Sequence, residues 1–178
     1  MTTVISLIAG PGAGKSTLAA ELYAKMKRQG LDVEMVREVA KEWAYDGRKI
    51  GPFEQLSILG EQIKKESSLF NKVDYIVTDS PVFLGAFYLN YNHNQDIACE
   101  FVKNYYNFGK EQRVQFLNYV IPRRGDYRTE GRYESEEQAK FIDSAIKVYL
   151  RQWHYQFELF GAAEITNEEM IEEIMRFL

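Results

Sequence analysis

Val4-Ile5-Ser6-Leu7-Ile8-Ala9-Gly10-Pro11-Gly12-Ala13-Gly14-Lys15-Ser16-Thr17 carries three signals in succession. The first, Val4 to Ile8, is short, apolar and β-branched, and reads as a buried strand stopped by glycine. The glycine-rich stretch follows, and from Lys15 the spacing predicts a helix over 15–29, with Leu18, Leu22 and Met26 on one face and Gly30 as its stop. Ala9 to Ser16 keeps the G-x-x-x-x-G-K-S/T spacing except that Ala9 stands at the first position. Glycines there let main-chain N–H groups turn inward, and such a nest at a helix N-terminus attracts phosphate.

Working outward, strands and helices alternate. Residues 31–36 and 75–78 read as strands two and three, and 115–120 and 155–160 as strands four and five. Pro52 suits the first turn of a helix whose stripe would be Phe53, Leu56, Leu59 and Ile63. Residues 82–107 read as mostly helical and aromatic-rich, with a polar surface turn at 90–94. Ser135 is placed to cap a helix over 135–153 with Gln138, its stripe being Ala139, Ile142, Ile146 and Leu150. A last helix over 167–178 turns Met170, Ile171, Ile174 and Leu178 inward. This alternation predicts an α/β fold, a parallel sheet with helices on both faces, in which ligands bind beyond the carboxyl ends of the strands.

Composition narrows the function. The 178 residues are 46% hydrophobic and 27% charged, with no repeat or low-complexity linker, as expected for one domain. Net charge is −4, which disfavours a general duplex-DNA binder without excluding a local basic groove. One cysteine and two histidines exclude a disulfide framework and a Cys- or His-rich metal site. Cys99 reads as a buried core thiol. No apolar run is long enough to span a bilayer and the N-terminal run lacks a basic flank, so a cytoplasmic protein with no membrane partner is expected.

The residues just after strands carry the chemistry. Lys15 is placed to reach the β- and γ-phosphates of a nucleotide and the Ser16 hydroxyl to take Mg²⁺, with Gly10, Pro11, Gly12, Ala13, Gly14 and Thr17 completing the cradle. Glu38 follows strand two and Asp79 follows strand three. Phosphoryl transfer to a hydroxyl needs a carboxylate to accept the proton and acidic support for the metal. Asp79 could hold Mg²⁺ or be the base; alternatively Glu38 simply begins a helix and Asp79 makes a turn before Pro81. Arg123, Arg124, Arg128 and Arg132 crowd a loop with Gly125 and Gly131 as hinges, and a guanidinium matches phosphate oxygens. A solvated loop paired with Glu130, Glu134 and Glu136 is the plainer reading of those arginines.

These residues resemble the P-loop nucleoside and nucleotide kinases, and within them the small kinase-type ATPase group that includes the ribosylnicotinamide kinase domain of the bacterial NAD regulator and many phage-encoded kinases. The resemblance is specific over 9–17 and weaker at Arg37-Glu38-Val39-Ala40-Lys41, Thr78-Asp79-Ser80-Pro81 and 124–132. It implies a P-loop NTPase three-layer sandwich with strand order 2-3-1-4-5 and a lid at about 122–134 closing over ATP. It also implies ATP and Mg²⁺ as cofactors, Glu38 as general base, and Arg123, Arg124 and Arg128 on the phosphates. By the same analogy, helix 53–69 and the rings of Phe83, Phe87, Tyr88, Tyr91, Tyr105, Tyr106 and Phe108 would border a pocket for a nucleoside-like acceptor, although core packing is the ordinary role of each ring.

Three readings follow. A small-molecule kinase would phosphorylate a nucleoside, nucleotide or related metabolite. A polynucleotide kinase would use the arginine loop to grip a strand end or a hydroxymethylated base. An acceptor-free ATPase switch would need a second acid beside Asp79, where Ser80 and Pro81 stand instead.

Overall fold

The structure, a computed structural model, describes every residue except 95, 125, 126, 128–133 and 161–164, and at 42 and 44 the backbone alone. In chain order the elements are β1 (Thr3–Ile8), α1 (Lys15–Arg28), β2 (Val33–Val36), α2 (Ala40–Tyr45), α3 (Pro52–Ser67), β3 (Tyr75–Thr78), α4 (Val82–His93), α5 (Ala98–Glu111), β4 (Gln115–Val120), α6 (Glu136–Gln152), β5 (Glu158–Leu159) and α7 (Asn167–Met175). The strands form one five-stranded sheet in the order β2-β3-β1-β4-β5, and every pair is parallel.

The alternation of a strand's side chains divides the core. Ile5 and Leu7 of β1 and Val77 of β3 face the layer of α1 and α7, meeting Leu18, Leu22, Met170 and Ile174. Val4 and Ile76 face the opposite layer with Leu59, Ala86 and Val102, and Ile8 faces Phe83, Phe87 and Ile146 there. Since β1 is covered on both faces, all six of its residues are buried. Among the described residues no helix is long and apolar enough to cross a membrane.

Four expectations need correction. The buried face of α3 is Gln55, Ile58, Leu59, Gln62 and Glu66, while Phe53 is 79% exposed and Leu56 lies outside. The helix is turned this way because its polar groups find buried partners: Gln55 Nε2 donates to the Gly85 carbonyl at 3.3 Å, and Gln62 Nε2 to Glu66 at 3.1 Å. Strand five covers only Glu158–Leu159. Before it, the end of α6 is still closing, with His154 at φ 53° and the Tyr155 N–H on the Leu150 carbonyl at 2.9 Å. The stretch 82–107 is mostly helical as expected, but the turn expected at 90–94 comes only at its end: residues 90–93 belong to α4, which Asn94 (φ 51°) ends. Cys99 is half-buried on α5 rather than a core thiol.

The caps behave as expected. Ser135 N donates to Gln138 Oε1 at 2.8 Å and Gln138 N to Ser135 Oγ at 3.3 Å, a capping box that fixes the start of α6. That fixed start matters because α6 comes down onto the glycine-rich loop.

Candidate active site

The loop between β1 and α1 turns through Gly12 at φ 76° and Gly14 at φ 94°, a left-handed backbone that a side chain would strain. Gly14 is the N-cap of α1, so the first-turn N–H groups of the helix open into the loop. Lys15 folds over it, with Nζ donating to the Ala9 and Gly10 carbonyls at 2.9 Å each. Burial pushes the Lys15 ammonium pKa down, against the pull of Glu38, Asp79 and Asp143.

Beyond the sheet, two carboxylates meet this loop. The last residues of β2 and β3, Val36 and Thr78, are paired, so the residues that follow them emerge side by side. Asp79 is buried and its Oδ1 accepts the Glu38 main-chain N–H at 3.1 Å. Burial pushes the half-buried Glu38 carboxyl up; Lys15 and Lys41 pull it back, while Asp79 and Glu134 add to the rise. The charges of Lys15 and Glu38 act on one another, and that of Asp79 acts on both.

The sequence reading missed Asp143. From α6 its Oδ1 accepts the Gly10 N–H at 2.8 Å, and its Oδ2 pairs with Arg123 Nε at 2.7 Å. Arg123 also donates to the Ala139 carbonyl at 3.2 Å and lies 5.8 Å from the Tyr127 ring centroid. Its Nη1 is buried and has no hydrogen-bond partner among the described residues. A faint signal existed, since Asp143 stands next to Ile142 and four residues after Ala139, both on the buried stripe. Arg124 reaches elsewhere: its guanidinium donates to the Ile165 carbonyl at 2.6 Å and to the Asn167 side chain at the start of α7. Glu136 pairs with Lys140 of its own helix at 2.7 Å. Arg128, Arg132 and Glu130 lie outside the described residues.

The aromatic segment sorts itself between core and cleft. Phe83 and Phe87 are fully buried and stacked on one another, and Tyr91 stacks on Phe87 at 5.1 Å. Tyr105 is buried behind β3, and Phe108 packs against Phe70 at the outer edge. Tyr88 is half-buried, edge-on to Phe87 at 5.1 Å. Burial raises its hydroxyl pKa well above the usual value, and Glu134, Glu38, Asp143 and Tyr127 push the same way.

Gly10 is held to a hydrogen side chain by this packing. A Cβ there would come 2.6 Å from Asp143 Oδ1 and 3.1 Å from the Ala139 carbonyl. Gly10→Ala is therefore expected to cost about 1–3 kcal/mol by overpacking, read as a lower urea midpoint at unchanged slope.

A metal fits the donor set in one way. Among the described residues no group of three or more His, Cys, Asp or Glu is gathered to hold an ion. Ser16 and Asp79 offer one hydroxyl and one carboxylate, which suits Mg²⁺ that keeps waters and takes phosphate oxygens rather than sitting in an all-protein cage.

No curated protein matches the chain. Among solved structures, deoxyadenosine kinase from M. mycoides with bound dATP gives a TM-score of 0.61 at 22% identity, over 98% of this chain and 98% of that one. The NadR protein in complex with NR gives 0.70 at 14% identity, over 99% of this chain and 51% of that one, so this chain spans about half of NadR. The APS kinase CysC of Mycobacterium tuberculosis gives 0.55 at 8% identity, over 99% of this chain and 96% of that one. At such identities the likeness is one of fold, the five-stranded parallel sheet in the order β2-β3-β1-β4-β5 with its flanking helices. The family model described as AAA domain matches residues 4–165, nearly the whole length, and the chain belongs to that family, AAA_28.

Proposed function

We propose that the chain is an ATP- and Mg²⁺-dependent kinase that transfers the γ-phosphate of ATP to the hydroxyl of a nucleoside, a nucleotide or a related small metabolite. The observation that carries this reading is the glycine loop closing on the N-terminus of α1 with Lys15 folded over it, while Glu38 and Asp79 are joined at the ends of the neighbouring strands. The relatives of similar fold named as kinases support it.

The loop N–H groups and the N-terminus of α1 take the phosphates. Lys15 leaves the Ala9 and Gly10 carbonyls for the β- and γ-oxygens. Glu38 accepts the proton of the acceptor hydroxyl, whose oxygen forms the new bond to phosphorus as the bond to the β-phosphate oxygen breaks and ADP departs. A carboxyl raised by burial suits that role, because its affinity for a proton lies nearer working pH. Ser16 and Asp79 would hold the magnesium, which neutralises charge on the phosphates. Arg123, fixed by Asp143, brings Nη1, which has no hydrogen-bond partner among the described residues. Arg128, in the proposed lid at 122–134, completes the phosphate contacts, and Arg124 joins it only by leaving the Ile165 carbonyl and Asn167.

An acceptor screen with γ-labelled ATP tests this, offering nucleosides, nucleoside monophosphates, nicotinamide riboside, oligonucleotides and duplex DNA with hydroxymethylated pyrimidines. Label in one small molecule is expected. Label only in polymer would transfer the activity to a nucleic-acid acceptor. ATP turnover unchanged by every acceptor would replace the kinase with an ATPase switch.

A further inference from the structure

Glu66 lies outside the chemistry described so far, yet it is 1% exposed and held by polar partners. Tyr105 of α5 donates its O–H to Glu66 Oε2 at 2.5 Å. Gln62 Nε2 and the Thr78 hydroxyl donate to Oε1 at 3.1 and 3.4 Å, and the Val82 main-chain N–H also reaches the carboxylate. Thr78 and Val82 flank the turn that carries Asp79. Within that turn the Ser80 N–H donates to Thr78 Oγ1 at 3.3 Å, and Asp79 in turn holds the Glu38 N–H.

The structure assigns Glu66 a role as a positioning residue: through Thr78 and Val82 it fixes the turn that sets Asp79 against Glu38. This rests on the kinase reading above only for its effect on rate; the anchoring of the turn stands apart from it.

The anchor has two states. Ionised, the carboxylate accepts from all four donors. Protonated, one oxygen must donate, and the turn loses an acceptor. Gln62 Oε1 is buried with no partner among the described residues, so turning that amide over offers the protonated acid an acceptor. The titratable groups facing Glu66 are Tyr105 and Tyr106 of α5. Gln62 of α3 and Thr78 of β3 face it as neutral groups, and among the described residues it forms no ion pair. Burial pushes its pKa up to about 7, against the pull of these hydrogen bonds. Because this lies above the ordinary carboxyl value of 4.5, the folded state favours the neutral acid, and this group's contribution to stability falls as pH rises from 4.5 to about 7.

The test follows the Ser80 and Val82 amide signals by nuclear magnetic resonance from pH 5.5 to 8.5, beside phosphoryl-transfer rates. In the unaltered protein both amides are expected to titrate with a midpoint of about 7, and in Glu66→Gln to lose that transition. Tyr105→Phe removes a bond to the ionised form and is expected to move the midpoint up. Thr78→Val keeps shape and cuts the link; in it and in Glu66→Gln, kcat is expected to fall about ten- to a hundredfold while KM for ATP changes little. Amides that keep titrating in Glu66→Gln, or a midpoint that Tyr105→Phe lowers or leaves alone, would overturn the anchoring. Wild-type kcat in both Glu66→Gln and Thr78→Val would overturn the positioning role. Amide titration as expected, with no transfer to any acceptor, upholds the anchor and overturns the kinase reading instead.

Discussion

Lys15→Ala loses phosphoryl transfer by roughly 10³-fold or more, since it removes the cation that meets the charge developing on the transferred group. The fold is expected to survive, because among the described residues the Lys15 ammonium is hydrogen-bonded to the two loop carbonyls alone. Circular dichroism and the thermal midpoint are therefore expected to stay near those of the parent. A second signature separates loss of this cation from general damage. Lys15 pulls the Glu38 carboxyl down, so its removal lets that carboxyl rise further. Residual activity in Lys15→Ala is expected to have its acid limb at higher pH than the parent. Near-normal transfer in this variant would end the reading of 9–17 as a phosphate loop.

Glu38→Gln is expected to lower kcat by about 10²–10⁴-fold, the range for a lost general base. The base must be ionised to take a proton, and burial holds its pKa up, so kcat/KM of the parent rises with pH through that raised value and falls in acid. In Glu38→Gln that limb disappears. Asp79→Asn gives a different failure. The amide oxygen can still accept the Glu38 N–H, so the turn keeps its shape and only the charge is lost. Its rate is expected to recover as Mg²⁺ is raised, while that of Glu38→Gln does not. Recovery of both variants, or of Glu38→Gln alone, would exchange the two roles.

What could be read from the sequence was what is local in it. Strand, glycines, lysine and helix lie within fifteen or so residues, and the strand ends that carry Glu38 and Asp79 are marked by their own β-branched runs. The face of α3 could not be read that way. A rule that sends polar residues outward puts Phe53 inside and Gln55, Gln62 and Glu66 outside, and it fails because the partners of those groups sit on Gly85, Thr78 and Tyr105, far along the chain. Asp143 was hidden for the same reason: it reaches Gly10 across 133 positions of sequence. Among the rings, a list of aromatics does not distinguish Tyr88 from Phe87; only the packing of α4 against α6 buries Phe87 fully against Tyr149 and leaves Tyr88 half-buried.

The central place of β1 bears on how the chain is made. Thr3 pairs with Tyr75 on one side and Gln115 on the other, so β1 leaves the ribosome well before either of its neighbours has been made. Non-local parallel pairing of this kind forms slowly, and an unpaired apolar strand is where nascent chains associate wrongly. Val4 to Ile8 is thus both the keystone of the finished sheet and the segment most exposed during synthesis. Slower translation and lower temperature are expected to favour the soluble yield of this protein more than any strengthening of its finished core.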